Sequence, residues 1–138
     1  MVSPAPAFGN VTRTDGRQNQ TVVITYTFTG LPVADYRAAY EWYAGLLGRP
    51  ADVFPHDTEA VWRLTPTGAI YVVQDRERAG SGLMTVALDN LAEHEQRLRE
   101  TGVAFTEVAA GDSPRRLRVT DPDGNTLTFF QDPAHSGA

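Results

Sequence analysis

Neither cysteine nor lysine occurs among the 138 residues of this chain. The first absence excludes a disulfide framework, a thiolate metal site and a thiol nucleophile. The second makes arginine the whole basic complement, twelve residues against seventeen acids, for a net charge of −5. A phosphate-backbone partner normally shows as a basic surface, so this balance argues against nucleic acid. No apolar run approaches the length of a membrane span, and the first twenty residues lack the charged-then-apolar layout of a secretory signal. A soluble cytoplasmic protein with no membrane partner is the resulting expectation. No glycine string follows a strand and opens a helix, and no serine has a histidine and an acid arranged with it, which sets aside phosphate-cradling loops and hydrolase triads. With 41% hydrophobic residues the chain can bury one compact core but not two large independent ones.

What the chain does have is a repetition. Trp62-Arg-Leu-Thr65, Pro66-Thr-Gly68 and Ala69-Ile-Tyr-Val-Val-Gln-Asp75 reappear as Leu117-Arg-Val-Thr120, Pro122-Asp-Gly124 and Thr126-Leu-Thr-Phe-Phe-Gln-Asp132. The offset is 55 residues from Trp62 to Leu117 and 57 from Tyr71 to Thr128, the difference lying in the turns. Asp35 to Gly48 and Asn90 to Gly102 both read as a helix with an Asx start and a glycine stop. Such a two-fold repeat is a duplication, since an open solenoid needs three or more units.

Each copy reads β-α-β-β-β. In the first, Thr21 to Gly30 is β-branched and aromatic, a strand by propensity. A helix then places Tyr36, Ala39, Tyr40, Tyr43, Leu46 and Leu47 on one face. Strands Asp52 to Phe54, Glu59 to Thr65 and Gly68 to Gln74 follow, separated by turn residues. The second copy runs strand Gly82 to Leu88, helix Leu91 to Thr101, then strands Val103 to Val108, Arg115 to Thr120 and Asn125 to Gln131, with Glu93 at the capping-box position after Asn90. The expected fold class is α+β: one domain over 21–132, built of modules 21–77 and 81–132 that form a curved mixed sheet and a cleft. Residues 1–20, rich in breakers, read as a flexible tail in which Phe8 and Val11 are able to cover a sheet edge, and 133–138 read as a second tail that includes His135.

Strand alternation divides the sheet residues into two faces. Met84, Val86 and Leu88 with Leu127 and Phe129 form the face expected beneath the helices. Leu83, Thr85, Ala87, Thr126, Thr128 and Phe130 form the other, matched in module one by Tyr26, Phe28, Gly30, Ala69, Tyr71 and Val73. Aromatic, hydroxyl and small side chains together suit a ligand cleft, and also a second core layer. Arg63 and Arg118 read as repeat equivalents on this cleft face, with Arg116 on the same side. Their guanidinium groups suit a carboxylate, phosphate or polarised carbonyl, or alternatively water and acidic partners at the sheet ends.

The paired modules, the helix string Asp35-Tyr-Arg-Ala-Ala-Tyr-Glu-Trp-Tyr-Ala-Gly-Leu-Leu-Gly48 and the hairpin Asp121-Pro-Asp-Gly-Asn125 resemble the vicinal oxygen chelate superfamily, the glyoxalase, bleomycin resistance protein and extradiol dioxygenase fold. The resemblance covers about Thr21 to Asp132. It implies a cleft shared by two modules, a homodimer, and in the enzymes a divalent metal held by His, Glu or Gln from the first and last strands of each module. Counted as the family counts them, those positions are Phe28, Tyr71, Leu83 and Thr128. Two have no donor atom, threonine is a weak neutral donor, and tyrosinate is an uncommon ligand for these ions. The chain therefore reads as a member without the usual metal ligands, with no metal and no cofactor expected.

Remaining candidates are sparse. His56, Asp57 and Glu59 crowd one turn, where a solvated loop is the ordinary reading. His94 lies beside Leu91 and Leu98 and reads as a packing histidine, while Asp75 and Asp132 end equivalent strands as turn residues. Two functional classes stay open. One is a metal-independent binding protein that sequesters an aromatic antibiotic or natural product through Tyr26, Phe28, Arg63, Tyr71, Leu83, Thr85, Arg118, Thr128 and Phe130. The other is a metal-independent isomerase, cyclase or lyase in which Tyr71 or Tyr26 donates a proton and an arginine stabilises an enolate. Binding without catalysis is favoured, because no acid or base of shifted pKa is expected in the cleft.

Overall fold

A computed structural model describes residues 10–12, 21–109, 111–112 and 114–135. Its elements are β1 (Asn10–Thr12), β2 (Thr21–Val23), β3 (Thr27–Val33), α1 (Tyr36–Leu47), β4 (Val53–His56), β5 (Glu59–Thr65), β6 (Gly68–Gln74), β7 (Leu83–Leu88), α2 (Leu91–Thr101), β8 (Thr106–Val108), β9 (Arg116–Thr120) and β10 (Thr126–Gln131). The repeat is realised as two four-stranded mixed sheets of matching order, β3-β6-β5-β4 and β7-β10-β9-β8, each carrying one helix. In each, the first strand runs parallel to the last and the other pairs are antiparallel.

Both helices start and stop where their caps dictate. Asp35 accepts from the Ala38 amide at 3.2 Å and Asn90 from the Glu93 amide at 3.0 Å. Gly48 and Gly102 close them in the left-handed conformation, at φ 75° and 78°. At the start of α2 the Leu91 amide donates to Gln131 Oε1 on β10 (2.9 Å), which ties the helix to the strand it covers.

Several expected strand limits shift, two of them by three residues. The strand expected over Thr21 to Gly30 is broken at Ile24–Tyr26 and resumes to Val33. Proline is tolerated at Pro32 because β3 is an edge strand, where a missing N–H breaks little of the ladder. Val103 to Phe105 are not in β8, which is only Thr106–Val108. Within the segment read as an N-terminal tail, Asn10–Thr12 pair antiparallel with Thr21–Val23 as a separate two-stranded sheet; Phe8 lies outside the described residues. Pro133–His135, also read as tail, form a 3₁₀ turn whose Asp132 side chain accepts from the Ala134 amide at 2.9 Å.

One core joins the modules. Leu31, Val33, Tyr43, Trp62, Ile70 and Val72 from the first and Leu98, Leu117, Val119 and Leu127 from the second are at most 2% exposed. Burying a side chain of this size contributes about 1.5 to 3 kcal/mol each before conformational entropy is counted. Trp62 lies beneath Tyr40 in a stacked arrangement, ring centroids 5.4 Å apart, and its indole N–H reaches the Arg49 carbonyl at 3.0 Å.

Polar groups complete the junction. Asp121, 3% exposed, accepts from Tyr43 Oη and Asn125 Nδ2 at 2.7 Å each through Oδ2, and from the amides of Asp123, Gly124 and Asn125 at 2.9 Å each through Oδ1. Asn125 in turn donates to the Pro32 carbonyl and accepts from the Gly82 amide, both at 2.7 Å. Gly80 passes close by at φ 87°, where an added Cβ would meet the Asp123 carbonyl oxygen at 2.2 Å, so only glycine fits.

Burial also sets one titration. His94 packs on Phe129, ring centroids 4.3 Å apart, and its Nε2 is buried without a hydrogen-bond partner among the described residues. Burial first, then the charge of Arg97, lowers its pKa below the ordinary histidine value. The unfolded chain therefore binds the extra proton from about pH 6.5 downward while the folded chain does not, so this stability is present above that pH and is lost as pH falls toward the folded value. His94→Phe should flatten the dependence of melting temperature on pH below about 6.5. An unchanged slope would place the titration elsewhere.

Candidate functional site

Each sheet has one face against the helices and one without a helix. On β5, Ala60 and Trp62 are fully buried toward α1, which turns Glu59, Val61 and Arg63 to the open face. Cross-strand register extends that face: Val61 lies opposite Tyr71, Arg63 opposite Ala69, Tyr71 opposite Gly30, and Ala69 opposite Phe28. Phe28, 60% exposed, thus lies on the side opposite the buried Leu31 and Val33. The half-buried Tyr71 reaches across β3, its ring covering Gly30, where an added Cβ would stand 2.6 Å from Cζ and Oη. Tyr26, in the break before β3, packs its ring 4.8 Å from that of Phe28, and its hydroxyl is buried without a hydrogen-bond partner among the described residues.

Module two is built the same way. Leu117 and Val119 are fully buried under the helical layer, so Arg116 and Arg118 stand on the open face of β9. Arg118 lies opposite Thr128, Thr128 opposite Thr85, Arg116 opposite Phe130, and Leu83 opposite Thr126. Leu83 is 79% exposed.

The nine residues read from the sequence therefore fall into two groups. Tyr26, Phe28, Arg63 and Tyr71 belong to one sheet and its lead-in; Leu83, Thr85, Arg118, Thr128 and Phe130 belong to the other. Among the described residues no strand pairing joins the two sheets. Cavities of about 410 and 330 Å³ lie on the helical side instead, the first lined by Leu47, His94, Arg97 and Thr101. An open sheet face needs an opposing wall before it encloses a ligand.

One expected equivalence is corrected. Arg63 lies opposite Ala69 but Arg118 lies opposite Thr128, the counterpart of Tyr71; the residue opposite Tyr71 is Val61. The longer Asp121–Asn125 turn and the register irregularity between Arg63 and Thr65 displace the hairpins by two residues. A shift of two preserves the face, so both arginines stay on the open side.

One further group on these faces escaped the sequence reading, and one candidate turn is resolved. Thr106 on β8 lies opposite Arg118, in a strand too short for its alternation to stand out. Glu59, opposite Val73, takes His56 Nε2 at 2.8 Å, which resolves the acidic turn into one pair on the open face of module one.

Two sheet–helix modules of identical topology, joined at a buried polar junction and each leaving one sheet face open, define a paired βαβββ protein. The family model described as the glyoxalase/bleomycin resistance protein/dioxygenase superfamily matches residues 23–129, and the chain belongs to that family. A glyoxalase/bleomycin resistance protein from Catenulispora acidiphila DSM 44928 is 33% identical, with a TM-score of 0.74 over 78% of this chain and 98% of that one. TnmS3, an antibiotic binding protein from Streptomyces sp. CB03234, is 21% identical with a TM-score of 0.62, covering 77% of this chain and 93% of its own. A bleomycin-binding protein complexed with bleomycin is 20% identical with a TM-score of 0.59, covering 77% and 97%. The curated proteins yield no match.

A divalent metal, implied by the family's enzymes, does not fit the residues present. Phe28 and Leu83 offer no donor, and Tyr71 and Thr128 alone do not make a coordination set for such an ion. Among the described residues no group of three or more His, Asp or Glu side chains is gathered elsewhere to hold one.

Proposed function

We propose that this protein binds a small, partly planar or aromatic molecule without a resident metal, as an antibiotic- or natural-product-sequestering member of its family. The observation that carries this reading is the exposure of large apolar side chains on faces no helix covers, Phe28 at 60% and Leu83 at 79%. Side chains of that kind, set among threonines and arginines, supply contact area and a few orienting hydrogen bonds. The antibiotic-binding and bleomycin-binding neighbours support binding as a use of this fold. The protein acts in the cytoplasm as a homodimer in this reading, a second copy providing the wall each open face lacks.

A melting screen of aromatic antibiotics and carboxylated metabolites tests it, because a ligand bound only by the folded state raises the melting temperature. The expected result is at least one stabilising compound whose effect is the same with chelator and with added Zn, Ni, Mn or Fe, and no methylglyoxal–glutathione isomerase activity under any of these. Stabilisation that needs the metal would sink the metal-free reading. A second reading, a metal-independent isomerase, cyclase or lyase, draws on Tyr26, whose buried hydroxyl lacks a partner among the described residues. Conversion of the bound compound to a product of altered mass would select it.

A further inference from the structure

The open face of module two is unusual in what it lacks. Its strands present Leu83, Thr85 and Ala87, then Thr126, Thr128 and Phe130, then Arg116, Arg118 and Thr120, and at the edge Thr106 and Val108, with no carboxylate. Through the middle runs a single row across all four strands, Thr106, Arg118, Thr128 and Thr85, in direct cross-strand register. Every member carries a side-chain hydrogen-bond donor. Arg116 precedes Arg118 by two residues on β9, about 6.8 Å away at the rise of an extended strand. Two guanidinium groups at that separation can converge on one group above the sheet.

The adjacent arginine gives the comparison. Arg115, just before β9, is held on the helical side by Glu95 and by Glu107, the latter at 3.0 Å, and this pairing raises its pKa. Arg116 and Arg118 have no carboxylate partner among the described residues. Neither do Arg37, Arg63, Arg76 and Arg97, but Arg63 shares its open face with the carboxylate of Glu59, Arg97 lines the cavity on the helical side, and Arg37 and Arg76 stand at exposed helix and turn positions. In a chain with seventeen acids, an acid-free face carrying two arginines and a row of hydroxyls is a local reversal of the protein's charge. A ligand that covers this face removes water from both guanidinium groups, and a covered guanidinium needs an acceptor, best supplied by an oxyanion.

We propose that the ligand carries an oxyanion, such as a carboxylate, seated on the Arg116–Arg118 and Thr106–Thr128–Thr85 row, with its planar part directed to the apolar side chains. This rests on the binding reading above and narrows it from aromatic molecules in general to anionic ones. The test uses three matched probes, 2-naphthoate, the neutral 2-naphthamide and the cationic 2-naphthylmethylammonium, titrated by calorimetry into the full chain and into R116Q, R118Q and T128V. Wild type should bind the carboxylate about tenfold or more tighter than the amide, with the cation weakest. R118Q should abolish that preference while leaving amide affinity within about twofold, with R116Q intermediate and T128V smaller. Thermal melts of the variants should match wild type, since both arginines are exposed and unpaired among the described residues. If wild type binds amide and carboxylate equally, the oxyanion assignment falls and the aromatic cleft stands. Preference that survives in both arginine variants removes the anion from this row. Failure of all three probes to bind overturns the assignment together with the binding reading it narrows.

Discussion

Asp121→Ala is expected to lower the unfolding free energy by about 3 to 5 kcal/mol, the upper range for a single substitution. The carboxylate is buried and accepts five hydrogen bonds, from Tyr43 Oη, Asn125 Nδ2 and three successive turn amides. Alanine leaves those donors facing a cavity. Each buried donor left unpaired costs about 1 to 3 kcal/mol, reduced where water enters the space. The network also spans the modules: Tyr43 is on α1, Asp121 and Asn125 follow β9, and Asn125 holds the Pro32 carbonyl. Tyr43→Phe, which removes one bond and keeps the ring in the core, should cost about 1 to 2 kcal/mol. Burial, followed by the bond to Asp121, raises the pKa of Tyr43, so the phenol remains a donor across the physiological range. Urea unfolding of both variants checks the ranking. A loss below about 1 kcal/mol for Asp121→Ala would mean that the apolar core alone couples the modules.

Elements governed by local chemistry were legible before the structure was known. Asp35, Gly48, Asn90 and Gly102 mark helix ends through bonds made within a few residues, and alternation along β9 and β10 separates Leu117, Val119, Leu127 and Phe129 from Arg118 and Thr128. Features set by distant partners were not. The hairpin Asp121-Pro-Asp-Gly-Asn125 is visible as a turn, but nothing local says that its first aspartate receives a tyrosine hydroxyl 78 residues away. The level of Arg63 relative to Arg118 depends on a turn length and a register irregularity, and sequence similarity aligned the two arginines without sensing either. Thr106 was missed for a related reason, since a strand of three residues carries too little alternation to reveal its face. The open faces follow from the pattern; what stands opposite them in space does not.

Tyr71→Ala is expected to weaken a stacked aromatic ligand by about 1 to 3 kcal/mol, roughly 5- to 150-fold in affinity. The size of this effect follows from position. Tyr71 lies at the centre of the open face of module one, between Val61 on one side and Gly30 on the other, and its ring occupies the space above the glycine. Gly30 makes a second, independent variant possible. An alanine methyl there would stand 2.6 Å from the Tyr71 ring, and because the obstructed atoms are the far end of a side chain, the ring can swing aside at little energetic cost. Gly30→Ala should therefore melt close to wild type yet lose a similar share of ligand affinity, since the platform is displaced while its chemistry is retained. Tyr71→Phe separates ring from hydroxyl: a binder keeps most of its affinity, whereas an enzyme using the phenol as a proton donor keeps binding and loses turnover. Calorimetry on the three variants, with any stabilising aromatic compound from the melting screen, reads all of these. Affinity equal to wild type in both Tyr71→Ala and Gly30→Ala would remove module one from the site and leave ligand recognition to the open face of module two alone.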